Sequence, residues 1–290
     1  MRNVDKNSVT TAVKDTFDCE NERVGFLLSK LVDAVHDYAR DVKLTHAEWH
    51  EMIGFLTRAG EITDKERNEF VLLSDVLGLS SLVDMINSPD DATQSSVLGP
   101  FHIQGSPALP VGGDLIEGNA GDHVVVYGNV KAADGTPLVG AQLEIWQTAD
   151  NGLYSNQDAQ QSAFNLRCSQ STGPDGRYGF STVRPAPYTV PSDGPVGSLL
   201  SATGRHPWRP SHLHFIVKAD GYQSLVTELF PEDDPYLDED AVFGVRESLI
   251  LRYTKHTSPS ELPMTFAISD KLKSPFYSVH FDFTLSPERS

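Results

Sequence analysis

Two histidines stand one residue apart in the stretch GRHPWRPSHLHF, residues 204–215. In a β-strand, successive side chains point to opposite faces, so His212 and His214 would present their imidazoles on the same surface. Two neighbouring imidazoles are a common part of a metal site. The pair is also consistent with two half-buried strand histidines that hydrogen-bond to their neighbours. Other residues must therefore distinguish these two interpretations.

Two tyrosines lie in unusual loop contexts, Tyr154 in DNGLYSNQD and Tyr188 in RPAPYTVP. Each alone has a structural explanation, since Tyr154 would close a turn and Tyr188 would pack at the start of a strand. Together with the two histidines they would offer two phenolate oxygens and two neutral imidazole nitrogens, which suit Fe(III) better than zinc. A phenol, whose ordinary pKa is about 10, ionises at neutral pH only beside a strong positive charge such as a ferric ion.

The elements that must position these residues change in character along the chain. Over residues 24–38, apolar residues recur at every third or fourth position, which predicts an amphipathic helix. Two capping-box patterns follow, Thr45 with Glu48 and Thr63 with Glu66, and each predicts the start of another helix. The N-terminal part is therefore predicted to be helical.

The residue pattern of the rest of the chain is typical of a β-protein. Short β-branched runs such as HVVVYGNV, QLEIWQT and HLHFIVKA are separated by turn signals such as ADGTP and GPDGR, which predicts an antiparallel β-sandwich. Two long connections, residues 149–168 and 186–209, contain the tyrosines, and connections of that length are usually functional. We expect a mainly β fold with an α-helical N-terminal part: a helical domain at 1–95 and a β-sandwich catalytic domain at 96–290.

Composition and charge narrow the range of partners. The 290 residues include 23 Lys and Arg against 40 Asp and Glu, a formal net charge of -17, which disfavours nucleic acids and anionic membrane surfaces. Two cysteines far apart, Cys19 and Cys168, favour a reduced setting. No apolar run is long enough to span a membrane, and the N-terminus lacks the apolar stretch of a signal peptide. We expect a cytoplasmic protein that binds a small, neutral or weakly acidic ligand.

Six motifs follow one another through the chain: SSVLGPF, GNVKAADGTPLVGAQLEIWQT, NGLY, APYTVPSDGPVG, GRHPWRPSHLHF and DPYLDEDAVFGV. In this order, and behind a helical segment, they resemble the intradiol ring-cleavage dioxygenases of the catechol 1,2-dioxygenase superfamily. DGPVG and the last motif resemble the hydroxyquinol branch more than the catechol branch. The resemblance implies one non-haem Fe(III) per subunit and cleavage of hydroxyquinol (benzene-1,2,4-triol) by O2 between its two adjacent hydroxylated carbons. The product would be 3-hydroxy-cis,cis-muconate, which tautomerises to maleylacetate in aromatic compound degradation.

The same resemblance assigns roles to individual residues. The iron ligands would be Tyr154, Tyr188, His212 and His214. Tyr188 would also accept a proton from the substrate, and Arg209 would stabilise negative charge that develops on the ring. The substrate pocket would be lined by Leu72, Asp75, Val97, Leu98, Gly99, Pro100, Val190 and Val242.

Asp75 would decide between substrates within this pocket. A carboxylate directed into an apolar pocket favours a substrate with an additional hydroxyl donor and disfavours one without it. Three residues depart from the family pattern without removing a ligand. Ser211 stands where many relatives have Ala, and Cys168 where they usually have Gly. Glu228 stands where catechol enzymes tend to have Gln near the metal.

Two other functions remain open from the sequence. The nearest is the same cleavage acting on catechol or a substituted catechol. The more distant one is non-enzymatic binding, because VYGNVKAADGTPLVGAQLEIW also resembles transthyretin-like β-sandwich modules; such a module has no need of four metal ligands. The family resemblance further implies a homodimer joined through the N-terminal helices, and the apolar stripe at 24–38 is long enough to contact a second subunit.

Overall fold

The computed structural model describes residues 3–64, 67–262 and 269–288. The backbone divides into two compact units, Met1–Arg58 and Ala59–Ser290. Within the described residues, no helix combines the length and the apolar character needed to cross a membrane.

The first unit is helical. It contains α1 (Val9–Lys14), α2 (Glu22–Asp41) and most of α3 (His46–Ile62), which continues into the second unit. The helix predicted over residues 24–38 is confirmed as α2, and the Asn21 side chain caps it by accepting two backbone N–H groups of its first turn.

The first predicted capping box is also confirmed. The backbone N–H of Thr45 donates to Oε2 of Glu48 at 2.8 Å, and the N–H of Glu48 donates back to Oγ1 of Thr45 at 3.3 Å. This reciprocal pair satisfies N–H groups at the start of α3 that have no partner within the helix. The short helix α1 was not predicted, because six residues carry too little periodicity to be recognised.

Helices α4 (Glu69–Val76) and α5 (Leu79–Asn87) open the second unit. Of the second predicted capping box, Glu66 lies outside the described residues, and the N-cap of α4 is Asn68 rather than Thr63. The single helix expected here is two helices, because Gly78 takes a left-handed backbone conformation (φ 74°) between them.

Twelve strands lie in the part of the second unit that the structure describes. Their bounds are β1 (His123–Ala132), β2 (Gln142–Gln147), β3 (Arg167–Ser171), β4 (Arg177–Val183), β5 (Tyr188–Thr189), β6 (Trp208–Arg209), β7 (Leu213–Lys218), β8 (Leu225–Pro231), β9 (Ile250–Leu251), β10 (Thr254–His256), β11 (Phe276–His280) and β12 (Phe283–Leu285). A further helix, α6 (Pro195–Ala202), lies within the connection that was predicted to be a loop.

The strands form two five-stranded sheets and one small pair. The first sheet has the order β10-β11-β1-β12, with β4 also pairing with β1; the second has the order β3-β2-β7-β8-β9; β5 pairs with β6. The predicted fold class is confirmed, mainly β with a helical N-terminal part. Both sheets are mixed, because β1 pairs in parallel with β11 and β12, and β8 pairs in parallel with β9. The antiparallel prediction missed these parallel pairs, because the alternation of polar and apolar residues along a strand shows which face is buried but not the direction of the neighbouring strand.

The core lies between the two large sheets, where aromatic side chains of both interdigitate. The ring of Phe215 on β7 contacts Tyr178 and Phe180 of β4 and Phe283 of β12, at centroid distances of 4.9 to 6.4 Å. Because strand side chains alternate, turning Phe215 into this core turns His214 to the opposite face of the sheet. The packing of the core therefore decides which surface carries the histidines.

Gly128, at the centre of β1, lies directly against the backbone of Phe281. A Cβ atom on Gly128 would lie 1.7 Å from the carbonyl oxygen of Phe281. We expect Gly128→Ala to lower the free energy of unfolding by about 3 kcal/mol, because backbone must move to admit the methyl group. Urea unfolding of the full chain measures this.

Gly60 in α3 provides the matched control, since a methyl group added there would find its nearest neighbour, Phe70 Cζ, at 4.0 Å, an ordinary contact. Gly60→Ala is expected to raise the unfolding free energy by up to about 1 kcal/mol through helix propensity. Equal unfolding midpoints for the two variants would contradict the close approach at Gly128.

Candidate metal centre

Three adjacent strands place one residue each in a row across the second sheet. Trp146 on β2 pairs in register with His214 on β7, and His214 pairs with Glu228 on β8. The Trp146 indole stacks on the His214 imidazole with a centroid distance of 4.6 Å and an interplanar angle of 6°. The sheet and this stacking together fix the orientation of the His214 ring.

The loop between β2 and β3 carries Tyr154 into the same region. Gly152, two residues earlier, has a left-handed backbone (φ 75°), and a Cβ there would lie 3.0 Å from the carbonyl oxygen of Pro187 and 3.7 Å from Cβ of Tyr188. A side chain at Gly152 would hold the two loops apart. Glycine at this position therefore lets Tyr154 and Tyr188 approach each other, with ring centroids 5.6 Å apart.

A buried arginine, Arg167, hydrogen-bonds to the loop that carries Tyr154. Arg167 Nε donates to Ser155 Oγ at 2.7 Å, and its Nη2 donates to Asn156 Oδ1 at 3.0 Å. Its guanidinium lies over the Tyr154 ring, 5.8 Å from the centroid, and Phe101 stacks on that ring at 4.7 Å. Tyr154 is thus held by aromatic and polar contacts on several sides.

Three polar atoms converge at the centre of the site. Tyr154 Oη lies 3.1 Å from His212 Nε2 and 3.0 Å from His214 Nε2, and the two nitrogens lie 3.1 Å apart. Tyr188 lies beside them, its ring centroid 5.6 Å from that of His212. The structure therefore brings Tyr154, His212 and His214 together directly and places Tyr188 next to them.

The chemistry of this triangle fits a bound cation. Nδ1 of His212 lies 2.7 Å from the carbonyl oxygen of Pro210, which can only accept, so Nδ1 carries the proton and Nε2 presents a lone pair. A single phenol proton can satisfy only one of the two Nε2 atoms that face it. A metal ion coordinated by these three atoms would satisfy them all, and the donor set suits a ferric ion.

Burial sets the protonation of these groups in the absence of a metal. Desolvation lowers the pKa of His212 and lowers that of His214 well below the ordinary value, so both imidazoles are neutral at pH 7, as metal ligands must be. Burial raises the pKa of both Tyr154 and Tyr188, and for Tyr188 the charge of Arg209 opposes this rise. Phenolates at these positions therefore require a strong cation beside them.

Arg209 forms a fully buried ion cluster with two carboxylates. Its Nη1 and Nη2 donate to the two oxygens of Glu228 at 2.7 and 2.9 Å, and its Nε donates to Asp240 Oδ1 at 3.0 Å. Register across the β5-β6 pair sets Arg209 directly opposite Tyr188. The cluster thus holds the guanidinium beside one of the tyrosines.

Backbone and hydroxyl groups complete the cluster. Ser96 Oγ donates to Glu228 Oε2 at 2.8 Å, and the N–H of Gly244 donates to Asp240 Oδ2 at 2.8 Å. A Cβ on Gly244 would lie 2.7 Å from Arg209 Nη2, so the chain passes too close here for a side chain. Every oxygen of the two carboxylates accepts at least one hydrogen bond.

The residues predicted to line the substrate pocket are placed unevenly. Gly99 lies against the metal-site face, since a Cβ there would lie 3.3 Å from His214 Cε1. Leu98 is 45% exposed and Pro100 is exposed as well, so neither side chain is packed into the protein. The remaining apolar members are buried: Leu72, Val97, Val190 and Val242.

Asp75 on α4 is half-buried, and its surroundings perturb it. Desolvation raises its pKa, a hydrogen bond from Ser80 and the charge of Arg209 lower it, and Glu228 raises it again. The electrostatic coupling shows that Asp75 lies within range of the ion cluster. It is a carboxylate in a partly dry environment rather than a solvated helix residue.

Several residues of the site were not predicted from the sequence. Asp240 lies in the DPYLDEDAVFGV motif, one of four acidic residues there, and nothing in the spacing selects it. Ser96 and Trp146 are ordinary residue types that become part of the site only through the register of distant segments. Arg167 gave no usable signal, because it begins a short polar strand, Arg-Cys-Ser-Gln-Ser, and an arginine in such a strand is usually exposed to solvent.

Comparisons with known proteins agree with this geometry. The family model described as "Dioxygenase" matches residues 107–287, and the one described as "Catechol dioxygenase N terminus" matches residues 21–95. The chain is 43% identical to a 6-chlorohydroxyquinol 1,2-dioxygenase of Cupriavidus pinatubonensis, over 99% of each chain. It is 40% identical to a hydroxyquinol 1,2-dioxygenase of a Rhizobium species, over 98% of this chain and 96% of that one.

Solved structures give the same result. The crystal structure of a hydroxyquinol 1,2-dioxygenase from Pseudomonas putida DLL-E4 superposes with a TM-score of 0.89 at 42% identity, and covers 98% of this chain and 99% of its own. This similarity extends over both the helical part and the β-sandwich, so it is not confined to a common β-module. The resemblance stated from the motifs is confirmed, and the chain belongs to the intradiol ring-cleavage dioxygenase family.

Proposed function

We propose that this protein is an Fe(III)-dependent enzyme that cleaves hydroxyquinol with O2 between its two adjacent hydroxylated carbons. The product would be 3-hydroxy-cis,cis-muconate, which tautomerises to maleylacetate. The observation that carries the proposal is the convergence of Tyr154 Oη, His212 Nε2 and His214 Nε2 within 3.0 to 3.1 Å of one another. The names of the two relatives support hydroxyquinol and its chlorinated form as the substrate class.

The four proposed ligands are Tyr154, Tyr188, His212 and His214, with one iron per subunit. When bound, a ferric ion would supply a Lewis acid for the two adjacent ring hydroxyls and prepare the ring for reaction with O2. The backbone carbonyl of Pro210 fixes the tautomer of His212, and stacking on Trp146 fixes the ring of His214. These contacts hold the ligand atoms in position before substrate arrives.

Two residues are proposed to act on the substrate itself. Tyr188 would accept a proton from one ring hydroxyl at its phenolate oxygen, because burial raises its pKa and its phenolate would be a strong base once a diol competes for the metal. Arg209, held opposite Tyr188 by the β5-β6 register, would place its fixed charge where the ring becomes electron-rich.

The pocket wall is proposed to comprise Leu72, Asp75, Val97, Leu98, Gly99, Pro100, Val190 and Val242. In this wall Asp75 would accept a hydrogen bond from the third ring hydroxyl of hydroxyquinol. Its partly buried carboxylate would be left without that donor when catechol binds, which costs binding energy in the transition state. Catechol cleavage is therefore the competing activity that Asp75 is proposed to suppress.

We further propose that the protein forms a homodimer through its N-terminal helices. The apolar stripe of α2, which consists of Val24, Leu27, Leu28, Leu31, Val35 and Tyr38, is exposed along its length. Exposed apolar surface of this extent on one helix face favours a partner of the same kind. On this proposal, residues 1–95 form the dimerisation domain and residues 96–290 the catalytic domain.

The proposed setting is the cytoplasm. Both cysteines are free, and burial raises the pKa of the Cys168 thiol to about 12, so this thiol is inert at neutral pH. A protein with two free thiols and no disulfide fits a reducing compartment.

Protein reconstituted with Fe(III) is expected to show a visible charge-transfer band from its tyrosinates. Anaerobic hydroxyquinol should shift this band to longer wavelength, because the ring oxygens of the substrate would add to the tyrosinates as further aromatic donors to the metal. Tyr154→Phe should remove a large part of the absorbance, whereas Tyr127→Phe, on β1, should leave it unchanged. A colourless protein after reconstitution would contradict the ferric site.

Asp75→Asn is expected to lower kcat/KM for hydroxyquinol at least about tenfold more than kcat/KM for catechol, because the amide is the poorer acceptor for the third hydroxyl. Product formation by the two substrates in parallel assays measures the ratio. Asp84→Asn on the neighbouring helix α5 is the control and should leave the ratio as it is. Equal losses on both substrates in the Asp75 variant would refute the assigned role.

Leu31→Glu is expected to convert a dimer into a monomer, because Leu31 is 57% exposed in the middle of the α2 stripe and a buried carboxylate would be costly. Light scattering coupled to gel filtration measures the mass. Lys30→Glu, which introduces the same side chain beside the stripe, should leave the dimer intact. A wild-type protein that is monomeric would rule out the proposed dimer.

A further inference from the structure

Glu228 stands out among the buried charges because it touches the metal-site histidines. Its Oε1 lies 3.4 Å from Nε2 of His212 and 3.5 Å from Nδ1 of His214, and the side chain is completely buried. These three residues also form the one group of His, Cys and acidic side chains, among those the structure describes, whose atoms are close enough to hold a metal. Glu228 is therefore a buried carboxylate in contact with two of the proposed metal ligands.

The hydrogen bonds of Glu228 show that it is ionised. It accepts two from the Arg209 guanidinium, one at each oxygen, an arrangement that suits a carboxylate with no proton of its own. The bidentate pair with Arg209 also fixes its position. Its negative charge is thus a permanent feature of the site.

That charge is not cancelled within the cluster. Arg209 pairs with Glu228 and also with Asp240, which accepts from Nε and Nη2 at 3.0 and 3.2 Å. One guanidinium facing two carboxylates leaves one net negative charge, buried where screening by water is weak. Of the two carboxylates, Glu228 is the one in contact with the histidines, so its field there is stronger than that of Asp240; Arg209 Nη1 also lies 3.5 Å from His212 Nε2 and offsets part of it.

A buried negative charge beside a redox-active metal opposes the arrival of another electron there. This matters for the substrate of the proposed function. Benzene-1,2,4-triol has a hydroxyl para to another, so its ring gives up electrons much more readily than catechol does. A ferric ion in contact with such a substrate would tend to take one electron from it. The substrate would then be oxidised by one electron and release a hydroxyl proton to solvent, and the iron would become ferrous without any reaction with O2.

We propose that Glu228 is a positioning residue that keeps the metal ferric against reduction by the triol substrate. This inference rests on the proposed function and deepens it, because it matches the electrostatics of the site to an easily oxidised ring. Glu228 acts through the histidines, whose rings it flanks, and it does not contact the substrate. Its charge therefore tunes the site without taking part in the cleavage.

The test compares wild-type protein with Glu228→Gln, which keeps the shape and removes the charge. Both are loaded with Fe(III) and mixed anaerobically with hydroxyquinol beside a coloured ferrous chelator. Ferrous ion should form at least about tenfold faster in the variant, because an elementary charge a few ångströms away in a weakly screened interior changes an electron-transfer equilibrium by a factor of about ten or more. Catechol should produce little ferrous ion in either protein. Before substrate is added, the charge-transfer band of the variant should lie at longer wavelength.

Two further variants make the result specific. Asp240→Asn removes the same charge from the cluster at a position without histidine contact, so its rate of ferrous ion formation should fall between those of the wild type and Glu228→Gln. Glu144→Gln removes a carboxylate on β2 that binds His102 at 2.7 Å and should behave as wild type. Circular dichroism and the intensity of the charge-transfer band report folding and iron loading.

Equal ferrous ion formation by wild type and Glu228→Gln would overturn the proposal, as would an effect of Asp240→Asn as large as that of Glu228→Gln. If Glu228→Gln fails to load iron, the comparison of Asp240→Asn with wild type decides, and equal rates overturn the proposal. Aerobic turnover of hydroxyquinol by the wild type tests the proposed function separately. If the wild type turns over hydroxyquinol but the variants form ferrous ion at the wild-type rate, only the proposed role of Glu228 is refuted.

Discussion

The pairing of Arg209 with Glu228 and Asp240 is the interaction on which the site depends. It joins β6, β8 and the DPYLDEDAVFGV motif, three separate parts of the chain. A guanidinium buried this completely is tolerable only with its charge paired and its donors satisfied, and loss of one partner from such a pair typically costs about 3 to 5 kcal/mol. The cluster therefore constrains the backbone as strongly as it constrains the chemistry.

Around this cluster, burial and hydrogen bonding divide the roles of the ligands. The histidines are kept neutral by desolvation, and the Pro210 carbonyl directs the free lone pair of His212 inward. The two tyrosines differ in their neighbours: Tyr154 lies between Phe101 and Arg167, whereas Tyr188 faces Arg209. The contacts around Tyr154 suit a ligand that stays on the metal. The position of Tyr188 beside a charged cluster suits a ligand that exchanges a proton with the substrate.

Electrostatics also connects the wall of the pocket with the metal site. Asp75, Glu228 and Asp240 bring negative charge to a region where Arg209 is the counter-ion that the two buried carboxylates share. This excess is unfavourable without a cation and becomes favourable with one. The same charges suit a neutral, electron-rich triol better than an aromatic acid, because a substrate carboxylate would add to the excess.

The sequence by itself determined the helical N-terminal part, the β-rich remainder and the residue types of the site, because periodicity, turn residues and ordered motifs are local properties. His212 and His214 share a face for a reason that two residues of strand already contain. Only the tertiary structure decided that β1 has parallel neighbours, that α6 fills a predicted loop, and that Glu228 touches both histidines. These features depend on strand register and on contacts between residues far apart in the chain. The free energy of such contacts cannot be inferred from a short stretch of sequence.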